Sequence, residues 1–541
     1  MGARTRRVST RGTLLMTLGV ALLTGLASTA LADDNPQPVN MTHNVTGAPA
    51  PVAGAVFGSG PAVKTGTAIC STATQNGANV NTDCENRGPT NETSIAVNPT
   101  NTQNILGGDN DYQLAVNPGG HVSESVLSRA HVSFDGGKTW SEYSLYSNSA
   151  YQATGDPSVA FDASGHAYYA TLGFRFVGPA NVTNPDVLVA NSGDGGRTWS
   201  VSRVAAGSGV ATSPGNSLDK EYITAWGHGN AIVVYGDFLQ GQKGSFISAR
   251  IYSSVTHDSG RTWSKPQVIS GSLDEAFVAT PTVAADGKIY VSFLNTTDLT
   301  TGRDTYEVVQ VSPSTGARVA GPTAVAQVID GATDYPIAAG RQTYQDSQFR
   351  TWAAGNIAAD PSNPAHLAVV WSDMRNSTLP APTDPYAATT NSDVVVSQSF
   401  DRGATWSTPV AIRRSGDQWM PWGAYDASGR LHIGTFDRGT DTANHRYDYS
   451  LATESSPGSL SFSVAPVTTV KSDPTTNDRW FAATANAAFP FATQFLGDYS
   501  NIAIDPGSGD VLAYWTDMRK TACFDGRCGH GEDAFFARVG S

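Results

Sequence analysis

Apolar residues along the chain fall in short runs of about four to eight residues, separated by stretches rich in Gly, Pro, Ser, Thr and Asn. Val, Ile, Tyr, Phe and Trp are common within the runs, and these residues favour pleated strands. Four runs follow one another at 157–162, 167–172, 186–190 and 197–204. Long amphipathic helices are not apparent, so the pattern predicts an all-β protein with many tight loops.

This four-run unit recurs along the chain. Its first run, strand A, begins near Thr93, Pro157, Tyr222, Pro281, Gly355, Pro421 and Ser500. The recurrence predicts a seven-bladed β-propeller of four-stranded antiparallel blades. The last unit lacks a fourth strand, because the chain ends just after the third strand at 533–538. Since an open blade would expose unpaired strand, we predict that part of the segment 35–65 supplies the outermost strand and closes the ring.

One octapeptide with the pattern S/T-x-D-x-G-x-T-W occurs four times, at 133–140, 192–199, 256–263 and 399–406. Decayed copies lie at 312–319 and 455–462. In such a hairpin turn the Asp carboxylate can accept bonds from backbone N–H groups, while the Gly can take a positive φ. Because the same residues recur in every good copy, we assign the four aspartates to architecture rather than to a calcium or sugar site. They are Asp135, Asp194, Asp258 and Asp401.

The octapeptide is the Asp box, or BNR repeat, and the chain resembles the sialidase-type β-propeller superfamily from about Glu92 to its end. The resemblance implies a propeller with Asp-box turns. We divide the chain into 1–32, an export signal, 33–91, an extended segment with the ring-closing strand, and 92–541, the propeller.

Residues 1–32 have the pattern of an export signal: a basic start, an apolar stretch at 14–26 and the small-residue site Ala30-Leu31-Ala32. The pair Arg6-Arg7 raises the twin-arginine route, but the residues after it fit that route poorly, so the ordinary secretory route is favoured. No second apolar run is long enough to span a bilayer. We therefore expect a secreted, extracellular protein.

The charge balance limits the partners. The chain has 34 basic and 47 acidic residues, and only 15% of its residues are charged. Removal of the leader with its four arginines would leave a net charge of −17, which argues against nucleic acid as a partner. We expect a monomer without a membrane span.

The four cysteines form two local pairs, Cys70 with Cys84 and Cys523 with Cys528, which is typical of disulfides in an exported protein. A metal site is the alternative, but Cys-x-x-Cys is absent and His530 is the only nearby imidazole. No cofactor is expected. Structural calcium near the many aspartates stays open, although they lack EF-hand-like spacing.

In a four-stranded antiparallel blade the A→B and C→D turns lie at one face, and the B→C and D→A connections lie at the other. The octapeptides are C→D turns, so we expect a ligand-binding mouth at the opposite face, at the ends of B strands and the starts of A strands. The B-strand ends carry Asp109, Asn110, Asp111, Arg175, Asp237, Asn295, Asp373, Arg375, Asp437, Arg438, Asp517 and Arg519. The A-strand starts carry Glu92, Asp156, Lys220, Glu221, Trp352, Trp419, Asp498 and Tyr499.

Two interpretations of the repeated W-x-D-x-R motif, at 371–375 and 515–519, stay open. Its Asp and Arg can pair as a structural network within the ring. Alternatively, several arginines converge and receive the carboxylate of an acidic sugar.

The resemblance to sialidases implies a specific chemistry, with an arginine triad, a Tyr–Glu nucleophile pair and an Asp acid/base. It places Tyr499 and Glu221 as the nucleophile pair and Asp156 among the candidates for the acid/base. The residues assigned to substrate binding are Arg375, Arg438, Arg519, Asp373, Asp437, Asp498, Asp517 and Trp419. Two departures stand against it: the Arg-Ile-Pro motif is missing, and seven blades are predicted where the typical sialidase ring has six.

Three hypotheses are consistent with the sequence. The first is a secreted sialidase-like glycoside hydrolase that acts on terminal acidic sugars of a glycan or glycoconjugate. The second is a non-catalytic propeller that binds glycan or protein, and the third is a uronate-directed polysaccharide lyase. Serine-hydrolase, zinc-protease and phosphate-loop motifs are absent from the sequence. A propeller fold by itself does not decide among these functions.

Overall fold

The computed structural model describes residues 68, 70–72, 78–84, 88–116, 122–145, 151–175, 177, 182–296, 304–329, 344, 347, 349, 351–377, 390–474, 496–524 and 527–540. In this part of the chain, seven antiparallel sheets surround a central axis. No helix among these residues has the length and apolar character needed to cross a membrane.

Two short strands precede the blades, β1 (Cys70–Ser71) and β2 (Val80–Asn81). Blade 1 has β3 (Thr90–Val97), β4 (Ile105–Val116), β5 (Val122–Ser133) and β6 (Ser141–Ser144), with β1 as a fifth strand. Blade 2 has β7 (Ala153–Phe161), β8 (Ala167–Phe174), β9 (Asp186–Ser192) and β10 (Ser200–Ala205). Blade 3 has β11 (Gly215–Trp226), β12 (Asn230–Gln240), β13 (Phe246–Thr256) and β14 (Gln267–Val268).

Blade 4 has β15 (Ala276–Val283), β16 (Ile289–Asn295), β17 (Asp304–Val311) and β18 (Arg318–Val328). Blade 5 has β19 (Gly355–Ala359), β20 (Leu367–Asp373), β21 (Asp393–Ser399) and β22 (Val410–Ile412). Blade 6 has β23 (Gln418–Tyr425), β24 (Leu431–Asp437), β25 (Asp448–Glu454) and β26 (Phe462–Pro466). Blade 7 has β27 (Asn501–Ile504), β28 (Val511–Phe524) and β29 (Arg527–Val539), with β2 as its fourth strand.

The prediction of seven four-stranded antiparallel blades is confirmed. The inner strands β3, β7, β11, β15, β19, β23 and β27 contact one another in that order, and β27 returns to β3. The B strands β8, β16, β20 and β24 are buried throughout, because each blade packs between two neighbours. The hydrophobic core therefore lies between the blades, where Trp140 of blade 1 packs on Tyr514 and Phe536 of blade 7.

The ring is closed by the N-terminal part of the chain, but not by the segment predicted. Strand β2 pairs antiparallel with β29, with Val80 opposite Phe536 and Asn81 opposite Phe535. The Thr82 N–H continues this ladder by donating to the carbonyl of Ala534 at 2.9 Å. Residues 35–65 lie outside the described residues, and the edge position predicted for them is taken by Val80–Asn81.

A disulfide fixes the N-terminal strands. Cys70 and Cys84 are bonded as predicted, and β1 pairs with β6 so that Cys70 lies opposite Glu142. The second predicted pair lies in the β28–β29 hairpin, where the backbone register sets Cys523 opposite Cys528. The side chains of Cys523 and Cys528 lie outside the part that the structure describes.

The octapeptides form C→D turns with the predicted hydrogen bonds. In the first copy the Asp135 carboxylate accepts the N–H of Thr139 at 2.9 Å and its hydroxyl at 2.7 Å. A side chain on Gly137, whose φ is 91°, would overlap the Phe536 ring of blade 7. The hydroxyl of Thr405 lowers the pKa of the equivalent Asp401 to about 2. These aspartates are therefore occupied in holding their own turns.

Around the central channel, polar side chains hydrogen-bond neighbouring inner strands to one another, and aromatic side chains fill the space at the axis. Ser94 and Ser158 each accept the backbone N–H of the next inner strand at 3.1 Å. At the equivalent place blades 3 and 6 carry Tyr222 and Trp422, whose ring centroids lie 5.6 Å apart. Tyr499 of blade 7 completes this group, 5.3 Å from the Tyr222 ring. Aromatic rings from three blades thus meet across the axis.

Candidate functional site

The starts of the inner strands have a distinctive backbone. Glu92, Asp156 and Lys220 take positive φ values of 55°, 60° and 53°. Each lies at a register shift, between Asn91 and Ser94 in blade 1 and at the matching places of blades 2 and 3. A bulge of this kind re-aims side chains and is common beside functional sites. Here it directs the three charged groups toward one point.

A single lysine forms the centre of the site. Its Nζ lies 2.6 Å from Asp156 Oδ2, 2.7 Å from Asp498 Oδ2 and 3.1 Å from Glu92 Oε1. We call Glu92, Asp156, Lys220 and Asp498 the Lys220 cluster. Its members come from blades 1, 2, 3 and 7. Asp156 has the most accessible side chain, 12% exposed, against 4% for Lys220 and 0% for Glu92.

Neutral groups hold the carboxylates in place. Asn110 donates to Glu92 Oε2 at 2.7 Å and accepts the backbone N–H of Asp156 at 2.9 Å. The Trp352 indole N–H donates to Asp498 Oδ1 at 2.9 Å. A side chain on Gly497 would come within 2.8 Å of the Glu92 backbone nitrogen, so glycine lets blade 7 approach blade 1. The site is therefore preorganised by contacts between blades.

Burial and like charge separate the protonation states within the cluster. Burial, and next the charge of Asp156, raise the pKa of Glu92 well above its ordinary value. Burial alone would lower the pKa of Lys220, but the carboxylates, first Asp156, raise it well above its ordinary value. The cluster therefore favours a proton on Glu92 and the charged form of Lys220. A proton donor and a carboxylate in contact are what acid–base chemistry requires.

Two further predicted residues border the cluster, but they do not form the predicted pair. The Tyr499 hydroxyl donates to the carbonyl of Pro157 at 2.8 Å. Neither carboxyl oxygen of Glu221 has a hydrogen-bond partner among the described residues, although Glu221 is only 1% exposed. Burial, and next the charge of Asp156, raise the pKa of Glu221 well above its ordinary value. The predicted Tyr499–Glu221 hydrogen bond is therefore not formed, because a backbone carbonyl takes the hydroxyl.

The arginines predicted to receive a carboxylate are paired within their own blades. Arg375 makes a two-bond pair with Asp373, at 3.0 and 2.7 Å. Arg519 does the same with Asp517, at 2.8 and 2.6 Å. The Trp515 indole N–H donates to the same Asp517 carboxylate at 2.8 Å. Of the two interpretations of W-x-D-x-R, the structure shows the internal pair, because the motif carries its own counter-ion two residues away.

The remaining predicted residues are also enclosed. Arg438 is 0% exposed and faces Asp417 at 3.6 Å, and its guanidinium lies 5.2 Å from the Trp419 ring. Trp419 is itself 0% exposed and packs in an aromatic core with Phe349 and Phe436. Asp437 pairs with Arg414 at 3.1 Å. Of the predicted residues, only Asp156, Glu221, Asp498 and Tyr499 are gathered at the channel, because the others lie on B strands farther from the axis or inside the core.

The sequence analysis placed Glu92, Asn110, Lys220 and Trp352 at the predicted mouth. It did not assign a function to any of the four. A lysine between two acidic residues, Asp219 and Glu221, is the signal that the sequence offers. A metal centre is not indicated in the described part of the chain. There, only Cys70, Cys84 and Glu142 have ligand atoms grouped closely enough for an ion, and both cysteines are in the disulfide.

The molecule is a seven-bladed β-propeller, and comparison with solved structures finds similar chains. The Hadza microbial sialidase Hz136 is 12% identical, with a TM-score of 0.40, over 77% of this chain and 75% of that one. An α-L-arabinofuranosidase of Fusarium graminearum is 14% identical, with a TM-score of 0.40, over 85% and 97%. A PL25 ulvan lyase is 12% identical, with a TM-score of 0.37, over 62% and 73%. No protein-family model and no curated protein matches the sequence.

Proposed function

We propose that this chain is a glycan-processing β-propeller enzyme that cleaves a glycosidic bond by acid–base chemistry at the Lys220 cluster. The observation that carries the proposal is the convergence of three carboxyl groups from three blades on one buried lysine. Such a cluster lies at the end of the channel opposite the octapeptide turns. Structural ion pairs rarely need an excess of like charge, because unmatched buried carboxylates are costly.

Asp156 is the group proposed to reach the substrate. It is the most accessible carboxyl of the cluster, and after burial its charge and a hydrogen bond with it raise the pKa of Glu92. The proton shared between Glu92 and Asp156 would pass to the glycosidic oxygen as its bond to the anomeric carbon breaks, and water would add to that carbon. Lys220 keeps Asp156 in place and limits its repulsion from Asp498. Positioned acid–base groups of this kind contribute roughly 10²–10⁴-fold to a rate.

The finer proposal is hydrolysis of terminal acidic sugars by a secreted sialidase-like enzyme, with Tyr499 and Glu221 as the nucleophile pair. Its support is that both residues border the same cluster and that residues 1–32 have an export-signal pattern. It requires Tyr499 to exchange its bond with Pro157 for one with Glu221. It also requires guanidinium groups other than those paired with Asp373 and Asp517.

A second candidate function is a non-catalytic propeller that binds glycan or protein. Burial favours it, since the side chains of Glu92, Lys220 and Asp498 are no more than 4% exposed. In that case the ion pairs of the cluster serve only to hold blades 1, 2, 3 and 7 together. The two functions differ in the expected effect of neutralising Asp156: a catalytic cluster would lose turnover, whereas a structural cluster would have no turnover to lose.

The test uses the secreted, full-length mature protein and a panel of fluorogenic sialosides, arabinofuranosides and uronides, with ultraviolet detection of unsaturated products. We expect turnover of one class and a fall in kcat of roughly 10²–10⁴-fold in Asp156→Asn. Asp286→Asn is the matched control, because Asp286 is a surface carboxylate in the A→B turn of blade 4. Absence of turnover across the panel would favour the binding propeller, whereas full activity in Asp156→Asn would overturn the catalytic role proposed for Asp156.

A further inference from the structure

Two arginines on the mouth side of blade 2 share one carboxylate. Arg175 follows the end of β8, Asp186 begins β9, and Arg203 lies near the end of β10. Arg175 Nη2 lies 3.3 Å and Arg203 Nη1 3.6 Å from the same atom, Asp186 Oδ2. We call Arg175 and Arg203 the arginine pair. These strand ends lie on the face opposite the octapeptide turns, which is also the face of the Lys220 cluster.

The strand register explains why the three side chains meet. Gly173 lies opposite Asp186, and Leu188 lies opposite Arg203. Arg175 is two positions after Gly173, and Asp186 is two positions before Leu188. Because side chains alternate between the two faces of a strand, Arg175, Asp186 and Arg203 project from the same face of the sheet.

The fold holds Asp186 independently of the two arginines. Its side chain is 0% exposed, the Tyr151 hydroxyl donates to Oδ2, and the backbone N–H of Gly207 donates to Oδ1 at 2.9 Å. Burial, and next the hydrogen bond with Asp186, raise the pKa of Tyr151 above its ordinary value, so the hydroxyl remains a donor. The guanidinium carbon of Arg175 lies 5.3 Å from the centre of the Tyr151 ring. Asp186 and Tyr151 therefore give the arginine pair a fixed base.

The two guanidinium groups keep their donors available. The Arg175 side chain is 39% exposed and the Arg203 side chain is 45% exposed. Neither guanidinium donates a hydrogen bond to a residue in the described ranges, and both contacts with Asp186 are longer than an ordinary N–H···O bond. Arg375 and Arg519, by contrast, each have an aspartate of their own at 2.7 and 2.6 Å. One carboxylate balances only one of the two charges in the pair, so one positive charge is left for an anionic ligand.

The arginine pair is displaced from the Lys220 cluster along the strands of blade 2. Phe174, the neighbour of Arg175, lies opposite Ala153, which is three positions before Asp156. Three strand residues span roughly 10 Å, which exceeds the width of one sugar ring.

Guanidinium groups bind oxyanions through directed, charge-assisted N–H bonds. We propose that Arg175 and Arg203 bind the acid group, a carboxylate or a sulfate ester, of a sugar unit other than the one that lies at Asp156. The ligand class rests on the proposed glycan-processing function, and it makes the substrate an acidic oligosaccharide or polysaccharide rather than a neutral one.

The test is calorimetric titration of the full-length mature protein with trigalacturonate, trimannuronate and neocarratetraose disulfate. The first two carry carboxylates and the third carries sulfate esters, so the panel distinguishes the two acid groups. Each probe has an uncharged match, the methyl ester of the uronate or the desulfated tetraose. We expect at least one acidic probe to bind at least about tenfold more tightly than its uncharged match, because a charge-assisted contact is lost in the match.

Arg203→Gln is the variant that tests the pair without disturbing the fold. Arg203 is 45% exposed, and its replacement leaves Asp186 with its hydroxyl and backbone donors. The affinity for the acidic probe should fall at least about tenfold in Arg203→Gln, and further when Arg175→Gln is added. Arg250→Gln is the matched control, because Arg250 is an exposed strand arginine of the neighbouring blade 3 and its replacement removes the same charge.

The proposal is wrong if no acidic probe binds, if the uncharged matches bind equally well, or if Arg203→Gln weakens binding no more than Arg250→Gln does. Binding that depends on Arg203, without turnover of any substrate, would support the arginine pair and count against the proposed catalysis. Turnover of an acidic glycan with an affinity independent of Arg203 would do the reverse, so the two proposals fail separately.

Discussion

At the scale of single residues, Lys220 supplies the positive charge that balances the carboxyl groups of its cluster. Its side chain is 4% exposed, and its ammonium group contacts Glu92, Asp156 and Asp498. The residue also holds a positive φ. A positive φ is unfavourable for residues other than glycine, and the surrounding ion pairs offset this cost.

We expect Lys220→Met to lower the free energy of unfolding by about 3–5 kcal/mol, because it would remove the ammonium group that faces three buried carboxyl groups. Urea unfolding of the mature protein measures this. Lys288→Met is the control, since Lys288 is 39% exposed and pairs with Asp286 at the surface. Addition of Asp498→Asn to Lys220→Met should restore part of the loss. Equal unfolding midpoints for Lys220→Met and Lys288→Met would contradict this account of the cluster.

At the scale of elements, the N-terminal strands act as a clasp between the first and last blades. Strand β1 extends blade 1, β2 completes blade 7, and the Cys70–Cys84 disulfide links the two regions. Both strands have only two residues. Ladders this short are weak alone, so the covalent link should matter more here than in a long hairpin.

We expect the double variant Cys70→Ser/Cys84→Ser to lose about 3 kcal/mol of stability, the effect of opening a loop of this size in the unfolded chain. The two cysteines are 14 positions apart. Differential scanning calorimetry of the full-length protein measures the change in Tm. The double variant Cys523→Ser/Cys528→Ser serves as a comparison within one hairpin. Unchanged melting of the first variant would show that the clasp is held by its strands alone.

At the scale of the whole molecule, the seam between blades 1 and 7 contains a buried ionic network. His131 Nε2 lies 2.7 Å from Asp109 Oδ2, and the Tyr514 hydroxyl donates to the same carboxylate at 2.9 Å. Burial alone would lower the pKa of His131, but the charge of Asp109 raises it to about 10. The His131–Asp109 pair thus lies within blade 1, and the hydrogen bond from Tyr514 to Asp109 joins it to blade 7.

Because the pKa of His131 is higher in the folded chain than its ordinary 6.5, its stabilising effect is complete below pH 6.5 and is lost as the pH rises toward about 10. We expect Tm to fall across this window. In Asp109→Asn the Tm should be lower at pH 7 and the slope smaller. Thermal scans at several pH values check both, and NMR should show a charged His131 ring at pH 8. A neutral ring at that pH would refute the pair.

Much of the architecture was readable from the sequence because its signals are local. The hydrogen bonds of each octapeptide join residues two to four positions apart, as between Ser133, Asp135 and Thr139. Eight consecutive residues are therefore enough to predict the turn. Short apolar runs bounded by turn residues are equally local signals, which is why the seven blades were predictable. The Cys70–Cys84 pair was readable for the same reason.

The site and the closing strand were decided only by the tertiary structure. The backbone N–H of Asp498 donates a hydrogen bond to the Glu92 carboxyl group although 406 positions separate the two residues. The sequence around either residue does not indicate its partner. Arg375 and Arg519 could pair with their own aspartates or with a ligand, and the chain alone does not weigh these competing partners. Strand β2 is too short to have a pattern of its own. Its place is set by an unpaired edge of β29, which exists only when the ring has formed.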